Sequence, residues 1–163
     1  MTHPQWLVAF ANESNKIEGM APARTHEMDA LAAFLALDTI TIDALQSYVS
    51  IVAPGHQLRE RSGLNVRVGS HIAPAGGPVI RTRLEELLAF LPRSSPYHNH
   101  IAYETLHPFT DGNGRSGRAL WLWQHLNFDQ GDRVKTLGFL HSFYYEALQF
   151  SRQPGAEAGG GQW

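Results

Sequence analysis

The sequence predicts a mainly α-helical fold, a helical bundle interrupted by one β-hairpin, and three observations carry that prediction. Apolar residues recur at three- and four-residue spacings through most of the chain, the period of helices with one buried face. Between Arg59 and Pro78 that period fails, and Gly63, Gly69, Pro74, Gly76, Gly77 and Pro78 crowd together. Inside this stretch Leu64, Val66 and Val68 alternate with Asn65 and Arg67, the period-two pattern of a strand.

The elements follow in order. Trp6, Phe10 and Ile17 mark a first helix over about 5–19, with Gly19 as its C-cap and Pro22 breaking the chain after it. Met28, Leu31, Phe34 and Leu35 mark a second. Thr41 is a cap-type residue ahead of Ile42, Leu45, Val49 and Val52, and Pro54-Gly55 stops that third helix. The hairpin falls within about 60–76. Ile80, Leu84, Leu87, Leu88 and Leu91 restore the helical period, which Pro92 closes. A helix is expected from about Pro96 to Leu106, another from near Arg115 through Leu120, Trp121, Trp123 and Leu126, and a last one over Arg133 to Phe150. Residues 153–163, with three successive glycines, read as a disordered tail after a single domain over 1–152.

At 163 residues, 43% of them apolar, the chain has enough material for one real core. A net charge of −2 gives no reason to expect nucleic-acid binding. There is no cysteine, which excludes disulfides and thiolate metal sites. No apolar run suits a membrane span, and the start Met-Thr-His-Pro-Gln-Trp lacks the pattern of a secretory signal. A cytoplasmic protein is the expectation, although an effector exported without a cleaved signal has the same features. Trp121 and Trp123 read as surface aromatics, which suggests self-association into a homo-oligomer.

Function concentrates in His107-Pro-Phe-Thr-Asp-Gly-Asn-Gly-Arg-Ser-Gly-Arg118. An imidazole can accept a proton near neutral pH, which makes His107 a candidate general base. Asp111 is a candidate Mg²⁺ ligand, since magnesium prefers one or two carboxylates together with substrate phosphates. Gly112, Asn113 and Gly114 allow successive backbone N–H groups to converge on an anion, and the Asn113 amide would add a donor. Arg115 and Arg118, three apart, share one helix face and suit phosphate oxygens. Phe109 is expected to pack inward. His98 and His100 form a His-x-His pair, but positions two apart on a helix do not face each other, so structural roles are preferred.

This run resembles the signature His-Pro-Phe-x-Asp/Glu-Gly-Asn-Gly-Arg-x-x-Arg of the Fic family, with every fixed position matched. The resemblance implies the Fic-type fold and transfer of AMP from Mg-ATP to a Ser, Thr or Tyr hydroxyl of a target protein. Relatives that phosphorylate instead carry lysine where this chain has Gly114 and commonly lack the second arginine, retained here as Arg118, so nucleotidyl transfer is favoured. Upstream, Ser14-Asn15-Lys16-Ile17-Glu18-Gly19 resembles the inhibitory motif of self-inhibited members, in which the glutamate, here Glu18, pairs with the second signature arginine. The hairpin corresponds to the family's flap, which aligns a target segment as an added strand, with Val66, Arg67 and Val68 as its expected docking edge. Two alternatives stand beside this reading. Glu18 positions water for removal of AMP from a modified target, or the chain is a nucleotide-binding regulatory module without turnover.

Overall fold

The computed structural model describes residues 2–128. The expected helix over Arg133–Phe150 and the tail over 153–163 lie outside the described residues.

Six α-helices form among them: α1 (Gln5–Ile17), α2 (Thr25–Leu35), α3 (Ile42–Val52), α4 (Pro78–Phe90), α5 (Pro96–Leu106) and α6 (Asn113–Phe128). A hairpin, β1 (Arg67–Val68) and β2 (His71–Ile72), interrupts them between α3 and α4. The architecture is mainly helical with one small antiparallel hairpin.

The ends of these helices follow from local chemistry. α1 closes in a Schellman motif: Gly19 at φ +68 donates to the Lys16 carbonyl and Met20 to the Asn15 carbonyl. Asn15 and Asn12 then fasten the following segment, through the Ala21 carbonyl and the Ala23 N–H. Thr41 caps α3 by accepting from Ala44 N–H, and Ser95 caps α5 by accepting from His98 N–H, with Pro96 in the first turn.

α6 is the axis of the bundle and packs against α1, α2, α3 and α5. Every residue from Arg115 to His125 is buried, so this helix is enclosed on all sides rather than amphipathic. Trp121 and Trp123 are 1% and 3% exposed, and Trp123 Nε1 donates to the Leu37 carbonyl. The expectation of surface aromatics is therefore corrected: the two indoles fill the core, and self-association loses the argument that rested on them. Gln124 carries polar contacts inside that core, donating to the Leu91 and Ser94 carbonyls and accepting from Asn99.

The hairpin is shorter than the alternation predicted. Only Arg67 and Val68 form β1, paired with Ile72 and His71 across the Gly69-Ser70 turn, while Leu64, Asn65 and Val66 lie outside it. Both strands are exposed on both faces, so no core contact enforces a longer ladder. Asn65 instead turns its side chain to accept from Gly76 N–H.

Candidate active site

The signature residues gather where α5 ends and α6 begins. His107 is the C-cap of α5, at φ 50 and ψ 61, and no other described residue except glycine has positive φ. A left-handed conformation at a residue with a Cβ is unfavourable by roughly 1–2 kcal/mol. The loop that follows is braced from within. Asn113 Oδ1 accepts from Phe109 N–H and its Nδ2 donates to the Phe109 carbonyl, both at 2.8 Å. One of the two N–H donors of this amide is thus spent on the loop's own backbone, and Asn113 braces the loop. Phe109 is fully buried, as its apolar ring suggested.

Gly112 has φ +80, and a Cβ there would lie 2.9 Å from the Ala53 side chain, so only glycine fits. α6 begins immediately afterwards, two residues before the expected start at Arg115. Its first ladder bond runs from Ser116 N–H to the Gly112 carbonyl, so the N–H groups of Asn113, Gly114 and Arg115 precede the ladder. That is the positive end of a buried helix dipole.

The His107 imidazole is half-buried, with Nδ1 3.2 Å from the Glu104 carbonyl. A carbonyl only accepts, so the neutral ring carries its proton on Nδ1 and keeps the Nε2 lone pair available. Burial pushes the His107 pKa below its ordinary value of 6.5, opposed by the Glu104 carbonyl and assisted by the positive charge of Arg59. The ring is therefore neutral at neutral pH.

Arg118 is 3% exposed in its side chain and faces α1. Its Nε donates to Ser14 Oγ at 2.8 Å, and a terminal nitrogen donates to the Ser14 carbonyl at 3.0 Å and to Glu18 Oε1 at 2.6 Å. Residues 100 positions apart in the chain thus meet as an ion pair. The Glu18 carboxylate lies directly over Gly114, where a Cβ would come within 2.1 Å of Glu18 Oε1. Arg115 is buried against the C-terminal end of α3 and donates to the Val52 carbonyl.

Asp111 stands at the exposed rim. One carboxylate oxygen accepts from Gly112 N–H at 2.7 Å, and the other lies 3.7 Å from His56 Nε2. No group of three or more metal-ligating side chains occurs among the described residues. A lone, solvent-facing carboxylate fits magnesium held chiefly by substrate phosphates, not a protein cage. His100 is buried while His98 is exposed, as the helical spacing implied for this pair. On the flap, Arg67 and Val68 are exposed and Val66 is half-buried.

Three contributors escaped the sequence reading. Glu104 orients His107 through its main-chain carbonyl, a role no residue identity announces. His56 reaches Thr110 Oγ1 at 3.0 Å from the loop after α3. Arg59 is fully buried beside the loop that starts at His107, and burial lowers its pKa from the ordinary arginine value. A lone arginine in a Gly/Pro-rich stretch gives no periodic signal of such burial.

A family model described as Fic/DOC family matches residues 35–124, more than half of the chain.

Proposed function

The chain belongs to the Fic/DOC family, and on that footing we propose that it is a protein adenylyltransferase restrained by Glu18. It transfers AMP from ATP to a Ser, Thr or Tyr hydroxyl of another protein. The observation that carries the reading is the short loop joining a tautomer-fixed imidazole, His107, to the amino end of α6. In the step, the target hydroxyl gives its proton to His107 Nε2 as its oxygen bonds to the α-phosphorus. The bond from that phosphorus to the bridging oxygen breaks, and pyrophosphate leaves. The N–H groups at the start of α6 stabilise charge on the phosphates, and Arg115 and Arg118 neutralise the outer ones. Magnesium, with Asp111 as its protein ligand, supplies charge neutralisation of the polyphosphate. The flap edge around Val66, Arg67 and Val68 holds the target segment.

Restraint follows from charge and space. The Glu18 carboxylate is an anion over the amino end of α6, bonded to an arginine the triphosphate needs. It occupies the position of a phosphate and repels one. The test is labelling of protein by ATP carrying a label in its α-phosphate, using wild type, Glu18→Gly and His107→Ala. Labelling should rise in Glu18→Gly and vanish in His107→Ala. Labelling that survives His107→Ala would remove His107 as the base.

A further inference from the structure

We propose that Arg59 is a positioning residue that joins the flap and His107 into one mechanical unit. Its guanidinium is fully buried and makes four hydrogen bonds, every one to a main-chain carbonyl. Nε donates to His107 O at 2.6 Å and one terminal nitrogen to Leu106 O at 2.8 Å. The other terminal nitrogen donates to Leu64 O at 3.0 Å and Pro74 O at 2.8 Å, the two sides of the hairpin's base. A buried charge is unfavourable unless its donors are used, and only a planar fork reaches acceptors on two sides at once. The acceptors on one side are the last carbonyls of α5, the negative end of that helix. One of them belongs to His107, the residue held in the left-handed conformation.

The Arg59 backbone extends the same connection. Its N–H donates to Pro108 O at 2.8 Å, and its carbonyl accepts from Gly77 N–H at 2.9 Å. Leu58 bridges Phe109, and Thr110 N–H donates to Gln57 O at 2.9 Å, so residues 57–59 run antiparallel beside 108–110. The flap itself touches α5 through His71 Nε2, 3.0 Å from Thr105 O. Displacement of the hairpin's base therefore reaches the His107 carbonyl through a single side chain. A target strand seated on the flap stiffens the base residue's backbone by the same route.

Gly76 provides a remote way to test this. A Cβ at Gly76 would lie 2.5 Å from Leu64 O, one of the Arg59 acceptors, and 2.8 Å from Arg61 O. Gly76→Ala must move that carbonyl without touching the catalytic loop. Amide hydrogen exchange is measured by mass spectrometry on wild type, Arg59→Lys and Gly76→Ala, with Leu84→Ala as a control destabilised in the α4 core. Both test variants should speed exchange at least tenfold in 106–112 as well as in 60–76, and the control should not do so selectively. In a Glu18→Gly background both should lower kcat for AMP transfer at least tenfold while changing ATP affinity less than threefold.

Wild-type exchange in 106–112 for Gly76→Ala, or equal selective loosening in Leu84→Ala, overturns the coupling. Only the kcat readout rests on the adenylyltransferase reading. Coupled exchange with no transfer by any variant sustains the link through Arg59 and refutes the reaction instead.

Discussion

Replacing Glu18 by glycine should release the site by an amount the structure sets. The part of the proposed restraint that can be valued is one charge-assisted bond, Arg118 to Glu18 Oε1 at 2.6 Å, with the arginine side chain 3% and the glutamate side chain 38% exposed. Bonds to charged groups contribute about 1.5–3 kcal/mol, and water at the glutamate holds this one near 2 kcal/mol. At 1.36 kcal/mol per decade, releasing it should raise the initial rate of AMP transfer roughly 30-fold. The fold should tolerate the change. Arg118 keeps both bonds to Ser14, and the Schellman bonds that end α1 are main-chain bonds. A carboxylate at the C-terminal end of a helix is also disfavoured by the dipole by about 0.3–1 kcal/mol, so its removal offsets part of what the bond contributed. The melting temperature should fall by about 2–7 °C. Glu18→Gln, which keeps an acceptor and loses the charge, should fall between the two. The assay is the rate of α-label incorporation at saturating ATP, alongside ATP affinity by calorimetry. Equal rates for wild type and Glu18→Gly, with equal ATP affinity, would refute the restraint.

Further predictions follow from the same geometry. Because burial lowers the His107 pKa, the acidic limb of kcat/KM in Glu18→Gly should fall below pH 6.5; a limb above it contradicts the assignment. The same shift affects stability: the unfolded chain protonates this imidazole near 6.5 and the folded one only lower. His107's share of stability is thus complete above about pH 6.5 and declines as pH falls towards the folded pKa, which urea unfolding of wild type and His107→Gln at two pH values will show. Asn113→Ala removes both braces of the buried loop and should lose about 2–4 kcal/mol in urea unfolding, with transfer reduced; a loss under about 1 kcal/mol would deny the brace. Gly114→Ala should displace the Glu18 carboxylate and lose about 1 kcal/mol in wild type but little in Glu18→Gly; additive losses would mean that the two do not meet.

Much of the fold was legible because helix periodicity and its punctuation agree. α5 runs over Pro96–Leu106 as expected, since a cap serine with proline opens it and His107-Pro108 closes it. The hairpin's length was not legible, because Leu64 and Val66 alternate like a strand but no second sheet layer among the described residues rewards that pattern. Trp121 and Trp123 misled because an all-round apolar helix reads the same whether it is wrapped by neighbours or exposed on one side. In the site, residue types named His107, Asp111 and the glycines, and the upstream glutamate motif foretold the meeting of Glu18 with Arg118. The sequence could not reveal which donors would be spent internally. Asn113 bonds the backbone of Phe109, and Arg59 serves four carbonyls, roles fixed by main-chain geometry that side-chain identity does not encode.

The most direct test compares two labelled substrates with one enzyme. Glu18→Gly is incubated with magnesium and with ATP labelled either in the α-phosphate or in the γ-phosphate, and His107→Ala is run beside it. Nucleotidyl transfer predicts protein-bound label from the α position alone, absent in His107→Ala. Label arriving from the γ position would identify a kinase, and no label from either would contradict the catalytic role given to this loop.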